Sequence, residues 1–270
     1  KQMKHNEIKI IFSDIDGTLL NSVHRIDKKT EEAIKELQKK GICFVLSSSR
    51  GPIAIEPILK RYQFNCPMVA YGGALILDED RNVLYENGFR KEEANEVVQF
   101  LEEKQFPLSY NIYTKDNWYV KERDVRIRNE EDIVEATASI GTIDSVKDDE
   151  TIDKLLLMCD KDEILNIEKA LKERFPELSI AKSSNILIEI NKGGINKAES
   201  VKRFMKTKNI NQENSMAFGD NYNDKEMLEC VMYPVLMNNA PEELKKQFSY
   251  ITDDNNHDGI EKALKDFEII

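Results

Sequence analysis

The sequence predicts an α/β fold in which a parallel sheet, built from both ends of the chain, carries an inserted α+β segment. Residues 8–71 alternate strand, helix, strand, helix and strand, and residues 196–237 resume that alternation. Parallel strands that are joined by right-handed crossover helices bury a sheet between helices on both of its faces. The residues between these two stretches follow a different pattern, which predicts a separate module.

The elements of the first stretch follow from apolar runs and from the spacing of apolar residues. Nearly continuous apolar runs that end in polar loops are typical of buried strands. Apolar residues three and four positions apart indicate helices, and Gly41 is placed to end the first of them. The predicted elements are strands over residues 8–13, 42–46 and 67–71 and helices over residues 28–40 and 52–62.

The middle of the chain begins with a hairpin pattern. Residues 75–77 and 83–85 are short apolar strands on either side of an acidic turn, an arrangement that favours a hairpin over a crossover. Aromatic-rich and β-branched runs then predict further strands. The predicted elements are strands over residues 108–113, 117–120, 154–159, 178–181 and 186–190 and helices over residues 92–104 and 163–174.

The last stretch returns to alternating strands and helices. Its predicted elements are a helix over residues 196–208, a strand over 215–218, a helix over 224–230, a strand over 234–237 and two closing helices. The simplest interpretation is an α/β core of residues 1–79 and 190–270, with an α+β domain inserted over residues 80–189. An insert of about 100 residues lies within the usual range of domain sizes.

Composition and charge limit the partners of this chain. A hydrophobic content of 40% and a charged content of 33% are those of a folded globular protein. The excess of 50 acidic over 39 basic residues gives a net charge of −11, which repels polyanions. We therefore expect no nucleic-acid partner and no membrane partner, and no protein partner is evident. A phosphate-binding site in such a chain needs cations of its own.

The cysteines and the apolar runs indicate a cytoplasmic protein. Cys43, Cys66, Cys159 and Cys230 form no C-x-x-C pair, so we expect reduced thiols rather than a zinc or redox site. No apolar run approaches the ~20 residues that a membrane helix needs. The polar start, residues 1–7, does not resemble a secretory signal.

Two acids directly follow the first predicted strand. Residues two apart at the end of a strand point the same way, so Asp14 and Asp16 can face one site while Gly17 lets the backbone turn. Carboxylates that converge at the carboxyl edge of a parallel sheet need a cation, and hard oxygen ligands favour Mg²⁺. An isolated Asp-Gly pair would predict only a turn. The complete motif of residues 14–19, placed after a buried strand, indicates chemistry.

Other strand ends and helix starts add polar residues to the same edge. Ser48 follows the second strand and opens a helix, whose N-terminus attracts anions. Lys197 begins a later helix, where its ammonium can neutralise a phosphate oxygen. Asp220 and Asp224 follow the next strand and share a face if a helix begins there. Each residue alone is more commonly a helix cap or a solvated side chain, but their shared placement indicates one site.

The order of these motifs resembles the haloacid dehalogenase (HAD) superfamily, and more narrowly its Cof-type hydrolases. The resemblance rests on Asp14-x-Asp16-Gly17-Thr18-Leu19, Ser48, Lys197 and Gly219-Asp220-x-x-Asn223-Asp224. It covers nearly the whole chain and is weakest across the insert. It implies a Rossmann-like parallel-sheet core of the HAD type, with the insert as a large C2-type cap that governs substrate specificity.

The resemblance also implies a mechanism. Asp14 would attack phosphorus to form an aspartyl-phosphate, and Asp16 would protonate the leaving oxygen and then activate water. The expected activity is therefore that of a Mg²⁺-dependent phosphatase that acts on a small phosphorylated metabolite, such as a sugar phosphate.

The same resemblance implies a metal and phosphate ligand set. Asp14, the backbone carbonyl of Asp16 and Asp220 would hold Mg²⁺, and Asp224 would support them through water or through another ligand. The transferring phosphoryl group would be held by Ser48, Lys197 and Asn223.

Four positions depart from the family pattern. The family usually has Thr-Gly where this chain has Ser48-Ser49, and often has Asn at the position of Gly72. Ser48 keeps the hydroxyl, whereas Gly72 lacks an amide that could contact substrate or cap. Asn238 replaces a usual Gly.

Other functions share part of this pattern. A phospho-accepting receiver module also combines acids, a hydroxyl and a lysine, but it needs neither Asp16 nor the insert. A phosphomutase shares the core chemistry. Four aromatic residues of the insert are compatible with a sugar-stacking wall: Tyr110, Tyr113, Trp118 and Tyr119. Aromatic residues in strands more commonly pack within the sheet.

Overall fold

The structure is a computed structural model that describes residues 7–270. Most of the polar start, from which the sequence predicts no secretory signal, lies outside the described residues. Within residues 7–270, no helix combines the length and the apolar character needed to cross a membrane. All four cysteines are free thiols.

The described residues form thirteen strands and nine α-helices. The strands are β1 (Ile10–Ser13), β2 (Cys43–Ser47), β3 (Met68–Ala70), β4 (Leu75–Leu77), β5 (Val83–Glu86), β6 (Leu108–Tyr113), β7 (Trp118–Val120), β8 (Ser139–Ile140), β9 (Lys154–Cys159), β10 (Ser179–Lys182), β11 (Leu187–Asn191), β12 (Ser215–Gly219) and β13 (Tyr233–Leu236). The helices are α1 (Lys28–Lys39), α2 (Pro52–Tyr62), α3 (Lys91–Glu103), α4 (Val125–Val134), α5 (Ile164–Arg174), α6 (Lys197–Thr207), α7 (Lys225–Glu229), α8 (Glu242–Lys245) and α9 (Gly259–Asp266).

The first sheet has seven strands in the order β13-β12-β1-β2-β3-β4-β5. The strands from β13 to β3 are parallel, and β4 runs antiparallel to β3. The strand β1 lies between β12 and β2, in the middle of the five parallel strands, and is buried along its whole length, as its continuous apolar run predicts. The predicted α/β class with a parallel core is confirmed.

The second sheet has six strands in the order β10-β11-β9-β6-β7-β8. Its strands are antiparallel except for the pair β7 and β8. Apolar residues of α3 and α5 form one hydrophobic cluster with residues of β6, β9 and β11. On β7, the buried indole of Trp118 donates a hydrogen bond to Asn111 at 2.8 Å and its ring stacks on Tyr113. These contacts support the sheet-packing interpretation of the two aromatic residues.

The helix α4 and the short strand β8 are absent from the sequence-based assignment. The ten residues of α4 include five charged side chains and only three buried residues, so their apolar spacing is weak. A cap begins the helix, because the Asp124 carboxylate accepts a hydrogen bond from the backbone N–H of Ile127. Its assignment depends on that cap and on tertiary packing rather than on periodicity.

The chain divides into two compact units. One contains the chain up to Ser49 together with Tyr62–Leu84 and Asn196–Ile270. The other contains Arg50–Arg61 and Tyr85–Ile195. The domain boundaries at residues 80 and 189 remain a prediction.

An isolated acid lies inside the second unit, just before β9. Asp153 is fully buried, and no hydrogen-bond donor among residues 7–270 faces either of its carboxylate oxygens. Burial and the nearby carboxylates of Glu86 and Glu150 raise its pKa to about 10. When Asp153 is protonated, it can donate a hydrogen bond to Glu86. Asp153 is therefore neutral at neutral pH.

This environment predicts that, above neutral pH, Asp153→Asn has a higher free energy of unfolding than the unmodified protein. Between the unfolded pKa of about 3.9 and the folded value, the native state keeps a proton that the unfolded chain has lost. Native stability therefore falls as pH rises, by at most about 1.4 kcal/mol per pH unit. An amide cannot ionise and still donates to Glu86. Urea unfolding at about pH 5, 7 and 9 should show a gain that grows with pH.

The matched control is Asp149→Asn, because Asp149 is exposed and lies in the preceding loop. This control should show no pH-dependent gain. A constant difference between Asp153→Asn and the unmodified protein from about pH 5 to about pH 9 would contradict a raised pKa of Asp153.

Candidate active site

The two acids after β1 lie in different environments. The backbone N–H of Asp14 donates to the Phe218 carbonyl at 3.1 Å, and the Asp14 carbonyl accepts from Leu19 at 3.3 Å. These bonds hold Asp14 at the end of the sheet, where it is 7% exposed. The Asp16 side chain is 47% exposed, and its carboxylate lies 4.0 Å from Nδ1 of His24. Asp14 is thus a buried acid and Asp16 a solvent-accessible one.

A tight turn brings the loop after Asp16 against Asp220. Gly17 has φ +81°, and a Cβ there would lie 2.3 Å from Oδ2 of Asp220. Only glycine fits this backbone conformation and this close approach without strain. The next residue, Thr18, donates from Oγ1 to Oδ1 of Asp220 at 2.7 Å. Sequence reasoning did not assign a role to Thr18, although a hydroxyl next to an Asp-Gly turn is a recognisable signal.

The loop after β12 fixes Asp224 in the same place. Its Oδ2 accepts hydrogen bonds from the backbone N–H groups of Asp220 at 3.0 Å and Asn221 at 3.2 Å. A Cβ at Gly219 would lie 2.6 Å from Cβ of Asp224, so a larger residue would displace this carboxylate. Asp224 is fully buried.

The first residue of α6 brings a cation to these acids. The Nζ atom of Lys197 lies 2.8 Å from Oδ1 of Asp224, 3.3 Å from Oδ1 of Asp14 and 3.5 Å from the Ser47 carbonyl. Lys197 is 5% exposed. Its position at a helix start therefore places a buried ammonium between two carboxylates.

Ser48 is held at the end of β2 by main-chain bonds. Its N–H donates to the Val69 carbonyl at 3.0 Å, and its carbonyl accepts from Gly72 at 2.8 Å. The turn that contains Gly72 has positive φ at Tyr71 (+51°) and at Gly72 (+68°). This turn keeps Ser48 buried beside Ser47, whose carbonyl contacts Lys197.

The structure brings together most of the residues that the sequence singles out. Carboxylate oxygens of Asp14, Asp220 and Asp224 lie within 4.8 Å of one another, and Lys197 joins them. Asn223 is exposed and is not among the three hydrogen-bond partners of Lys197.

Negative groups outnumber positive ones in this cluster, since three carboxylates lie beside the ammonium of Lys197. Burial and the carboxylate of Asp224 raise the pKa of Asp14 well above its usual range, and Lys197 offsets only part of that shift. Burial also raises the pKa of Asp220. Burial lowers the pKa of Lys197, but Asp14 and Asp224 raise it by more, so the ammonium stays charged. A divalent cation would relieve the remaining repulsion among three hard oxygen ligands.

Comparisons with known proteins find a family match over nearly the whole chain. The model of the family described as haloacid dehalogenase-like hydrolase matches residues 11–264. A Haemophilus influenzae protein named "Putative phosphatase" is 34% identical over 261 residues, which are 96% of this chain and 97% of that protein.

Solved structures share the fold over nearly the whole chain. A haloacid dehalogenase-like hydrolase from Bacteroides thetaiotaomicron has a TM-score of 0.88 and 26% identity, over 98% of this chain and all of that one. A sugar phosphatase of HAD subclass IIB has a TM-score of 0.81 and 25% identity, over 97% of this chain and 100% of that chain.

The ion pairs of Lys197 predict that Lys197→Met lowers the free energy of unfolding by about 3–5 kcal/mol in metal-free buffer. Removal of one partner leaves uncompensated charges buried, which is the costly change at such a site. The double variant Lys197→Met/Asp224→Asn should recover part of the loss, because one of those charges is removed as well. Urea unfolding measures both effects.

Lys202→Met is the matched control on the same helix. The Lys202 side chain is 57% exposed and lies 3.6 Å from Glu199, so its removal should cost little. Equal losses in Lys197→Met and Lys202→Met would mean that the buried ion pairs do not stabilise the native state.

Proposed function

Because the chain belongs to the haloacid dehalogenase-like hydrolases and is a phosphoric monoester hydrolase, we propose a Mg²⁺-dependent phosphatase that forms an aspartyl-phosphate on Asp14. Its substrates are small phosphorylated metabolites. The observation that carries the proposal is the burial of Asp14 beside Lys197, within a cluster that includes Asp220 and Asp224.

The donor set of this cluster fits Mg²⁺. Asp14, Asp220 and the backbone carbonyl of Asp16 would hold the ion, which when bound supplies positive charge against the carboxylates and the substrate phosphate. Both oxygens of Asp224 are already engaged, one by Lys197 and one by backbone N–H groups. Asp224 therefore supports the site by orienting Lys197 and the loop after β12.

Asp14 is the nucleophile in this proposal. One of its oxygens forms a bond to phosphorus while the bond from phosphorus to the leaving oxygen breaks. The Lys197 ammonium, 3.3 Å from Asp14, is placed to neutralise a phosphoryl oxygen in that step. Ser48 donates to the same phosphoryl group, and Asn223 contributes a further contact from the exposed side.

Asp16 moves the protons. In the first step its carboxyl group gives a proton to the leaving oxygen, and in the second its carboxylate takes a proton from the water that attacks the aspartyl-phosphate. The products are the alcohol, inorganic phosphate and the regenerated Asp14 carboxylate. An exposed carboxyl group suits this role, because the leaving oxygen and the attacking water can reach it.

Sugar phosphates are the substrate class that we propose, with residues 80–189 as the cap that selects among them. The support is the structural likeness to a protein named as a sugar phosphatase. The receiver alternative has no comparable support, since the matched proteins are hydrolases and phosphatases along almost their full length. A phosphomutase would return the phosphoryl group to a sugar rather than release it.

The proposal predicts that the protein releases inorganic phosphate from p-nitrophenyl phosphate with Mg²⁺ and stops when the metal is chelated. A phosphate dianion cannot approach three carboxylates without added positive charge. Colorimetric phosphate release before and after chelation, and after Mg²⁺ is restored, measures this effect. Full activity in excess chelator would show that the metal requirement is wrong.

Asp220→Asn should raise the Mg²⁺ concentration needed for half-maximal activity. The matched control is Asp253→Asn, since Asp253 belongs to a second cluster, with Asp254 and His257, that the proposal does not use. That control should keep the Mg²⁺ dependence of the unmodified protein.

The different environments of the two acids predict different defects. Asp14→Asn should abolish the phosphoenzyme, because the nucleophilic oxygen is lost. Asp16→Asn should slow turnover by about 10²–10⁴-fold, the usual range for general acid–base catalysis. With a good leaving group, its slow step should become hydrolysis of the aspartyl-phosphate, so an adduct should accumulate.

Acid quench followed by intact mass measurement detects that adduct. We expect a phosphate adduct in Asp16→Asn and none in Asp14→Asn. A long-lived adduct on the unmodified protein with almost no phosphate release would favour a receiver over a phosphatase.

A further inference from the structure

Three asparagines of the C-terminal loop bind the backbone of the loop that follows the nucleophile. Asn239 donates from Nδ2 to the Gly17 carbonyl at 2.8 Å, and Asn255 donates from Nδ2 to the Leu20 carbonyl at 3.0 Å. The Oδ1 atom of Asn239 accepts from the backbone N–H of Asn255 at 3.1 Å. Asn239 and Asn255 are therefore connected to each other, and their side-chain amides hold both ends of the turn after Asp16.

The third asparagine holds the same loop farther along. Oδ1 of Asn256 accepts from the N–H of Ser22 at 3.0 Å and from its Oγ at 2.9 Å. Sequence reasoning gave none of these asparagines a role, and no local pattern marks residues that are more than 200 positions from their partners.

Backbone hydrogen bonds hold the C-terminal loop to the end of the parallel sheet. The N–H of Met237 donates to the Gly219 carbonyl at 2.9 Å, and the N–H of Thr252 donates to the Leu236 carbonyl at 2.9 Å. The Thr252 hydroxyl donates to the Gly259 carbonyl at 2.6 Å. The asparagine pair thus connects the turn after Asp16, through the C-terminal loop, to the end of β12, which Asp220 follows.

Asp16 needs such a support more than Asp14 does. Asp14 is buried and directly contacted by Lys197, whereas the Asp16 side chain is 47% exposed. The backbone of Asp16 forms a bridge with Leu20, and the Asn239 amide holds the carbonyl of the next residue, Gly17. The direction of the Asp16 carboxyl group therefore depends on a turn that the asparagine pair fixes.

We propose that Asn239 and Asn255 are positioning residues that aim the carboxyl group of Asp16 at the leaving oxygen of the substrate. This inference rests on the proposed function. In the step concerned, an Asp14 oxygen bonds to phosphorus, the bond from phosphorus to the leaving oxygen breaks, and that oxygen takes its proton from Asp16. A turn that is free to shift keeps the nucleophile in place but delivers the proton less often.

The hydrogen bond from Asn239 to Gly17 lies at the surface, so its removal has a small effect on global stability. Misplacement of a catalytic group by about 1 Å can nevertheless lower a rate by about 10²-fold. Loss of activity and loss of stability are therefore separable in these variants, and a specific kinetic signature identifies the step that is affected.

The experiment compares kcat/KM for two substrates of similar shape, p-nitrophenyl phosphate and phenyl phosphate, in Asn239→Ala, Asn255→Ala and the double variant. Nitrophenolate leaves readily without a proton, whereas phenolate is a poorer leaving group that needs one. We expect the ratio of kcat/KM for phenyl phosphate to that for p-nitrophenyl phosphate to fall about tenfold in Asn239→Ala. Melting temperatures should change little, and the double variant should lose less than the product of the two single losses.

Asn65→Ala is the matched control, because the Asn65 amide also donates to a backbone carbonyl, that of Glu79, at 2.8 Å on the surface. Its substrate ratio should equal that of the unmodified protein. If the asparagine variants lose activity equally on both substrates, or lose none, the positioning role is overturned.

Asp16→Asn distinguishes failure of this inference from failure of the proposed function. A fall in its substrate ratio confirms that Asp16 supplies the proton, so an unchanged ratio in Asn239→Ala and Asn255→Ala then overturns the positioning role alone. If Asp16→Asn reduces kcat/KM equally for both substrates, the proposed proton transfer is wrong and the positioning role falls with it.

Discussion

The crowding of like charges at one edge of the parallel sheet is the constraint on which the rest of the site depends. Asp14, Asp220 and Asp224 place carboxylate oxygens within 4.8 Å of one another, and Lys197 forms ion pairs with Asp14 and Asp224. Such a cluster opposes folding unless charge and hydrogen bonds compensate it. The same imbalance is the reason that we propose a divalent cation, and with it a phosphate, at this site.

This constraint explains why particular backbone positions are glycine. The first motif approaches the loop after β12 so closely that a Cβ at Gly17 would meet Asp220. Within that loop the side chain of Asp224 lies against Gly219, where a Cβ would also meet it. The parallel pairing of β1 with β12 sets that approach, because Ser13 and Phe218 are register partners at the ends of their strands. Strand register therefore brings the carboxylates together, and glycine at these positions leaves room for them.

The residues that could be predicted from sequence are those whose positions follow from local pattern. A buried apolar run fixes where a parallel strand ends, so Asp14 and Asp220 could be assigned to one edge before any contact was known. Lys197 could be placed at a helix start for the same reason. Contacts that join distant loops leave no such pattern, and for that reason the role of Asn239 became apparent only in the structure, whereas Thr18, a hydroxyl beside the Asp-Gly turn, could have been singled out from sequence. The charged helix α4 escaped assignment because its apolar spacing is weak.

In the proposed mechanism one short motif supplies two chemical roles, and Asp14 and Asp16 lie in correspondingly different environments. A nucleophile must hold a fixed position against phosphorus, and burial beside Lys197 provides that at the expense of a raised pKa of Asp14. Asp16, the proposed proton carrier, is exposed, so burial does not fix its position. Its direction has to come from the backbone, and in this chain the backbone is held by hydrogen bonds from Asn239 and Asn255. In our proposal, hydrogen bonds from distant residues to the backbone of this loop thus do for Asp16 what burial does for Asp14.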